Sequence, residues 1–334
     1  MKVRSVSLFV LVFFVSATLA VAGVYGESAE PEPNKIPVIL DTDANNEIDD
    51  QHAIAYMLFN SESFDIKGIT INETFGGKEL KKHVEEAERI VKLCDWEGKV
   101  PIIPGASGSY NEIVGTIAQD DFDGHEAVNF IIEEARKIKG RKLVLIPIGK
   151  LTNIALALAK APDITEKVKV IWLGSNWPKP GEYNLENDTS SVSPLLENRN
   201  LELEILPARY NEPTGTDAVT VKVEEIRKTM AGLGPKVDPV EGRHGGTFNC
   251  FGDYSIELFV KYGGDTRPLF DLCTLAILKD PSWAEKVHTK GVSFDGKKWG
   301  KEGDMEREVI FWENFNRSAI IEDFYATMRK AGPQ

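Results

Sequence analysis

Short apolar runs rich in β-branched residues alternate along the chain with longer segments whose apolar residues recur every three or four positions. The short runs predict strands at 36–41, 66–71, 100–103, 142–148, 168–173 and 201–206. The longer segments predict helices at 50–59, 78–93, 125–138 and 151–159. Such alternation is typical of right-handed crossovers. It therefore predicts an α/β fold, with a mostly parallel, Rossmann-like open sheet and helices on both faces.

The pattern becomes less regular after about residue 207, where helix-like periodicity returns only at 269–278 and 320–328. No internal repeat or low-complexity linker interrupts the chain. We therefore expect one domain over residues 35–334. In an open parallel sheet, ligands bind outside the carboxyl ends of the strands, so functional residues are expected just after the predicted strands.

The first residues have the pattern of a targeting segment. Lys2 and Arg4 precede an apolar run at 8–22, and Ala20 and Ala22 fit an A-x-A cleavage site. This predicts a signal peptide at 1–22, followed by a disordered tail at 23–34. An uncleaved anchor is the alternative, although the run is short for a bilayer span. We therefore expect an exported protein, periplasmic or extracellular, without stable membrane association after cleavage.

The formal net charge of -13 argues against a nucleic-acid partner, because binding to phosphates depends on clustered Lys and Arg. A metal cation or a neutral small molecule suits this charge better. Five acidic side chains lie within ten residues directly after the first predicted strand: Asp41, Asp43, Glu47, Asp49 and Asp50. Carboxylates packed so closely repel one another, and a hard divalent cation relieves that repulsion.

Three other interpretations explain this loop less well. An EF-hand would need Gly where Asn46 stands and a bidentate Glu where His52 stands. Helix capping by Asp49 explains only one carboxylate. A phosphatase with an aspartyl nucleophile after the first strand also begins with D-x-D, but its metal-binding carboxylates come late in the chain, whereas Asp49 and Asp50 lie in the same loop.

The loop resembles the D-x-D-x-G-x-D-D motif of the inosine-uridine preferring nucleoside hydrolase family. Four further segments resemble family motifs in the same order: 101–106 (PIIPGA), 148–157 (IGKLTNIALA), 181–184 (GEYN, for A-E-F-N) and 268–271 (PLFD, for P-L-H-D). The resemblance spans about residues 36–280. It implies the nucleoside hydrolase fold and the hydrolysis of ribonucleosides to ribose and base, in a divergent, exported member.

The resemblance also implies a calcium site. Asp43, Asp50, Asp271 and the backbone carbonyl of Ile148 would supply the protein ligands, and ribose hydroxyls and a water would complete the shell. Asp43 would act as the general base that activates the metal-bound water. Candidate ribose-binding residues are Asp49, Asn176, Glu182 and Asn184, with Asn72 as a weaker candidate.

Two departures from the family pattern keep alternatives open. The first loop has two extra residues between Asp43 and Asp49, so Asn46 or Glu47 could enter the ion's shell. Phe270 stands where many members have a His suited to protonating the leaving base. His244 is the candidate replacement acid, with His125 and Tyr254 as others.

The alternatives are a calcium-dependent nucleoside- or sugar-binding protein without turnover, and a hydrolase of another ribosyl compound. A homo-oligomer is possible.

Overall fold

The computed structural model describes residues 35–332; the predicted signal peptide at 1–22 and the predicted tail at 23–34 lie outside these residues. The strands are β1 (Ile36–Thr42), β2 (Phe64–Ile71), β3 (Ile102–Pro104), β4 (Leu143–Pro147), β5 (Val168–Leu173), β6 (Glu202–Leu206), β7 (Thr220–Lys222), β8 (Val240–Glu241), β9 (Thr247–Phe248), β10 (Thr266–Pro268), β11 (Glu285–Lys290), β12 (Ser293–Phe294), β13 (Trp299–Gly300) and β14 (Glu308–Glu313).

The helices are α1 (Asp49–Phe59), α2 (Leu80–Leu93), α3 (Tyr110–Ile113), α4 (His125–Lys137), α5 (Thr152–Lys160), α6 (Tyr183–Asn187), α7 (Val192–Glu197), α8 (Val223–Thr229), α9 (Phe251–Tyr262), α10 (Leu272–Lys279) and α11 (Arg317–Lys330). Among the described residues, none of these helices combines the length and apolarity needed to cross a bilayer.

Eight strands form the main sheet in the order β11-β14-β6-β5-β4-β1-β2-β3. Every neighbouring pair is parallel except β11 and β14, which are antiparallel. This confirms the predicted α/β class with a mostly parallel open sheet. All six predicted strands belong to the sheet, and each predicted helix overlaps an observed one.

Both faces of the central strands are buried, which explains their nearly continuous apolar sequence. Along β1, Val38 and Leu40 face one apolar cluster, whereas Ile39 faces the other. Helices α1, α2, α9, α10 and α11 contribute to the first cluster, and α4, α5 and α7 contribute to the second. The sheet is therefore covered by helices on both sides, as predicted.

The order of strands reverses at β1, which pairs with β2 on one side and β4 on the other. Backbone hydrogen bonds continue between the segments that follow these strands. The backbone N–H of Ile148 donates to the carbonyl of Asp41 at 2.8 Å, and that of Asn72 donates to Thr42 at 3.0 Å. Segments that follow three strands are thus held together at one edge, where ligands of such sheets bind.

Candidate active site

A cavity of about 280 Å³ opens at the carboxyl ends of the central strands. Its lining combines carboxylates, aromatic rings and one guanidinium, contributed by loops spread over more than 200 residues of chain: Asn46, Glu47, Asp49, Asp50, Ile148, Leu173, Glu182, Tyr183, Asn184, Ala208, Tyr210, Asp217, Arg267, Pro268, Phe270 and Asp271. The predicted dependence of the site on strand ends therefore holds for the first, fourth, fifth and sixth strands.

Three buried carboxylates form the acidic centre of this cavity. Oxygen atoms of Asp49, Asp50 and Asp271 all lie within 4.8 Å of one another. The first two begin α1, and Asp271 directly precedes α10, so their backbones are fixed by helix starts. The structure thus brings Asp271 to the acids that follow β1. It adds Asp49, predicted to bind ribose, to the group able to hold a metal.

Burial is the largest cause of the raised pKa values of these carboxyl groups. It raises the pKa of Asp49 from 3.8 to about 7, and the charge of Asp43 adds to the effect. Burial followed by neighbouring carboxylates likewise raises the pKa of Asp50 and of Asp271 well above the ordinary value. A bound divalent cation would favour the ionised forms instead. The oxygen donors and their mutual repulsion therefore fit a hard cation.

Asp43 lies buried beside this group and is held from one side. Its Oδ2 accepts hydrogen bonds from Thr74 Oγ1 at 2.6 Å and from Asn46 Nδ2 at 2.9 Å. Its Oδ1 is buried without a hydrogen-bond partner among the described residues. Leaving a carboxylate oxygen buried and unpaired is costly, so this atom calls for a cation or a water.

Gly149 allows Asp43 to approach the chain that follows β4. A Cβ at this position would lie 2.9 Å from Asp43 Oδ1 and 2.8 Å from the amide of Asn72. Asn72 itself donates from Nδ2 to Asp41 Oδ1 at 2.7 Å and does not line the cavity.

Asp41 argues against the phosphatase reading, because its carboxylate is fully engaged. Besides Asn72, it accepts hydrogen bonds from Thr70 at 2.6 Å and Asn153 at 2.7 Å through Oδ2. It is completely buried and does not line the cavity. A nucleophilic oxygen needs access to its substrate, and neither oxygen of Asp41 has it.

Glu182 and Asn184 form another part of the cavity wall. Glu182 caps α6 by accepting hydrogen bonds from the backbone N–H groups of Asn184 and Leu185, both at 2.9 Å. Burial raises the pKa of Glu182 to about 7. Asn184 donates from Nδ2 to the carbonyls of Ile148 at 2.9 Å and Leu173 at 3.1 Å. The carbonyl predicted as a metal ligand is therefore at the cavity and is oriented by Asn184.

The remaining predicted residues lie away from the cavity lining. Asn176 accepts a hydrogen bond from the backbone N–H of Tyr210 at 3.2 Å and so supports the wall from behind. His244 lies 3.4 Å from a carboxylate oxygen of Glu257. Of the other acids considered, His125 contacts the carbonyl of Phe122, and the hydroxyl of Tyr254 donates to Glu86.

Phe270 does line the cavity, with its ring edge against Tyr210 and ring centroids 6.0 Å apart. The cavity wall therefore has a phenyl ring, which cannot donate a proton, at the position where the resemblance would place a His. Tyr210 and Asp217 follow β6 and were missed, although their place after a strand was a usable signal.

Residues of the lengthened first loop form polar contacts with other residues of the site. Glu47 forms an ion pair with Arg267, whose guanidinium also lies 4.2 Å from the ring centroid of Tyr262. Asn46 holds Asp43. No sequence signal pointed to the pair between Glu47 and Arg267, because its members lie about 220 positions apart.

Comparison with known proteins identifies the family. The family model described as inosine-uridine preferring nucleoside hydrolase matches residues 38–323. A pyrimidine-specific ribonucleoside hydrolase RihA of Shewanella woodyi is 24% identical over 324 residues, covering 86% of this chain and 96% of that protein. A shorter match, to an uncharacterized protein of Schizosaccharomyces pombe, is 27% identical over 186 residues and covers 54% of this chain and 56% of that protein.

Solved structures agree on the fold. The inosine-uridine preferring nucleoside hydrolase of Bacillus anthracis superposes with a TM-score of 0.63 at 16% identity, covering 88% of this chain and 99% of the other. At that identity the likeness concerns the fold alone, whereas the family match extends over most of the sequence. The chain therefore belongs to the inosine-uridine preferring nucleoside hydrolase family, and it is a hydrolase that acts on N-glycosyl compounds.

Proposed function

We propose that the protein hydrolyses ribonucleosides to ribose and base with a calcium ion held at the floor of the cavity. The observation that carries this proposal is the convergence of Asp49, Asp50 and Asp271, whose oxygens lie within 4.8 Å of one another. A donor set made only of oxygens suits Ca²⁺, whereas Zn²⁺ favours nitrogen and sulfur ligands.

The residues that would hold the ion are Asp43, Asp50, Asp271 and the carbonyl of Ile148. Asp49 would join them through the oxygen that lies near Asp50 and Asp271, and its other oxygen would remain for the ribose. When bound, the ion would orient the 2′ and 3′ hydroxyls of the ribose and offset the repulsion among the carboxylates. Asp43 Oδ1 has no other partner in the described part of the chain, and its two lone pairs would allow it to contact the ion and still accept a proton from the attacking water.

Asp43 is the proposed general base. Its Oδ2 is occupied by Thr74 and Asn46, so the proton of the attacking water passes to Oδ1. Positive charge develops on the sugar ring as the bond from its anomeric carbon to the base breaks and the water oxygen bonds to that carbon. The base leaves with the electron pair of the broken bond and takes a proton from solvent. The surrounding carboxylates stabilise that charge electrostatically.

Asp49, Glu182 and Asn184 are the proposed ribose contacts, because all three line the cavity. Asn72 and Asn176 would not contact the ribose. Asn72 holds Asp41, and Asn176 holds the backbone of Tyr210, by hydrogen bonds behind the cavity wall. The leaving base would meet the wall that contains Phe270, whose ring supplies apolar contact but no proton.

The position of Phe270 in the cavity wall favours a second candidate, a calcium-dependent nucleoside- or sugar-binding protein without turnover. A hydrolase of another ribosyl compound is the third. All three share the ion and the ribose contacts, so they differ only in whether a bond breaks and in which one.

One experiment separates these candidates. The purified protein is incubated with a panel of purine and pyrimidine nucleosides and 5′-phosphorylated ribosides, with calcium or with a chelator, and reducing sugar is assayed. We expect release from at least one nucleoside, loss of release with chelator, and loss in Asp43→Ala and Asp271→Asn. Asp120→Asn, at an exposed position, serves as the matched control.

Binding of nucleosides without release of sugar from any compound would exclude the hydrolase and support the binder. Release only from phosphorylated ribosides would support the third candidate. Release that persists in the chelator would exclude the proposed role of the ion.

We further propose that the protein is exported to the periplasm or outside the cell and is not stably membrane-associated once residues 1–22 are removed. Lys2, Arg4 and the apolar run at 8–22 support this proposal. Fractionation of cells that express the full chain, with mass spectrometry of its N-terminus, tests it; an intact N-terminus in the cytosolic fraction would refute it. A homo-oligomer is also proposed, and the molar mass in solution tests that.

A further inference from the structure

Tyr183 differs from the family segment that it otherwise matches, because 181–184 reads GEYN where the segment A-E-F-N has Phe. The hydroxyl is therefore an addition of this chain. Tyr183 begins α6, is half-buried and lines the cavity. The proposed mechanism leaves this hydroxyl without a role.

The hydroxyl is the start of a short chain of hydrogen bonds that ends on Asp43. Tyr183 Oη donates to Thr74 Oγ1 at 3.3 Å, and Thr74 Oγ1 donates to Asp43 Oδ2 at 2.6 Å. Because the carboxylate of Asp43 accepts the proton of Thr74, the oxygen of Thr74 is left to accept that of Tyr183. Hydroxyls aligned in this way polarise one another, and a charged acceptor strengthens the bond that it receives.

The start of this chain is itself fixed. The backbone N–H of Gly76 donates to Tyr183 Oη at 2.7 Å, and a Cβ on Gly76 would lie 2.4 Å from that oxygen. The backbone N–H of Phe75 donates to Asn187 at 2.8 Å, and its ring packs on Tyr183 with centroids 4.8 Å apart. The segment that carries Thr74 is thus joined to α6 at several points.

We propose that Tyr183 is a positioning residue that acts through Thr74 to hold Asp43 with Oδ1 free for the reaction. This inference rests on the proposed function, since it assumes that Asp43 is the base. Thr74 and Asn46 both donate to Oδ2, so turning the carboxyl group would break both bonds. Tyr183 limits the movement of Thr74, and thereby keeps the reactive oxygen in place.

Three variants test these hydrogen bonds from Tyr183 through Thr74 to Asp43, here called the relay: Tyr183→Phe, Thr74→Val and the double variant. Tyr183→Phe removes a bond between two neutral hydroxyls, so we expect kcat to fall roughly 3- to 10-fold; Thr74→Val removes a bond to a carboxylate, so we expect a larger fall. KM should change less than about twofold, because neither hydroxyl is proposed to grip the ribose. The double variant should be no slower than the slower single variant, because both changes interrupt the same series of hydrogen bonds. Thr74→Ser should restore kcat.

A second substrate separates positioning from direct proton donation. Tyr183 lines the cavity, and its hydroxyl would act as the leaving-group acid if it donated its proton to the departing base. A 4-nitrophenyl riboside releases a stable phenolate that needs no such proton. Positioning of the base predicts the same fall in kcat on both substrates. A fall in Tyr183→Phe that disappears with the nitrophenyl riboside would overturn the inference, as would unchanged kcat in Thr74→Val.

Crystal structures of the variants give a readout independent of turnover. We expect the Asp43 carboxyl group to be rotated or disordered in Thr74→Val, whereas an unchanged Asp43 there would contradict the relay. Tyr325→Phe is the matched control, because the Tyr325 hydroxyl is buried without a partner among residues 35–332. It should leave kcat unchanged on both substrates.

The unaltered protein distinguishes the two levels of the argument. If it releases neither base nor nitrophenol, the proposed function fails and the inference falls with it. If it turns over both substrates while the variants behave independently of one another, only the inference is wrong.

Discussion

Replacing Asp49 by Asn should change how the stability of the metal-free protein depends on pH. Burial raises the pKa of Asp49 from 3.8 to about 7 in the folded state. The folded protein therefore binds a proton that the unfolded chain does not bind between these pH values, and its stability falls as pH rises. Keeping Asp49 ionised in the folded state costs roughly 4 kcal/mol, at about 1.4 kcal/mol per pH unit.

Only part of that free-energy cost is removed when the pH is lowered from 8 to 6, so the change expected over an accessible pH range is smaller. Lowering the pH from 8 to 6 should add about 1.4 kcal/mol to the free energy of unfolding through Asp49 alone. His52 opposes this trend, since burial lowers its pKa to about 4 and its contribution is lost as pH falls below 6.5. The informative quantity is thus the difference in pH dependence between the unaltered protein and Asp49→Asn.

Urea unfolding followed by tryptophan fluorescence, in chelator at pH 8 and pH 6, measures this difference. Asp49→Asn should lack the gain of about 1.4 kcal/mol and should be the more stable protein at pH 8. With saturating calcium the order should reverse, because the ion stabilises the ionised carboxylate. Equal pH dependence of the two proteins in chelator would refute the reasoning. Asp120→Asn, at an exposed position, should follow the unaltered protein.

Three further outcomes are expected. Gly149→Ala places a methyl group 2.9 Å from Asp43 Oδ1; it should lower kcat at least about tenfold and stability by roughly 1–3 kcal/mol, measured by initial rates and urea unfolding. Phe270→His should raise kcat on nucleosides but not on a 4-nitrophenyl riboside, and an equal gain on both would exclude leaving-group protonation. Asp271→Asn should weaken calcium binding at least tenfold by calorimetry, with undiminished affinity excluding Asp271 as a ligand.

The parts of the fold that were predictable are those whose sequence reflects burial. The central strands β1, β4, β5 and β6 are largely apolar because helices cover both faces of the sheet there. Strand β11 was missed because five of its six residues are exposed and no alternation marks it. Strand β14 contains the apolar residues Val309, Phe311 and Trp312 but follows an irregular region, so it was missed as well.

The site was predictable where motifs mark it and not where distant chain segments meet. The acids after β1 stand out through local charge density, and Asp271 emerged from the resemblance. Local sequence does not reveal that Thr74 supports Asp43 or that Arg267 pairs with Glu47. Those contacts depend on which loops the folded sheet brings together.

The pairing of Glu47 with Arg267 ties the two ends of the acidic centre across more than half of the chain. Asp49 and Asp50 belong to the first loop, whereas Asp271 follows Arg267 by only four positions. A peptide that contained either segment alone would lack part of the donor set, so high-affinity binding of the proposed ion would require nearly the whole domain to be assembled. Ion binding should therefore report the completion of folding. Limited proteolysis between the two segments should release the ion, even where the two fragments remain loosely associated.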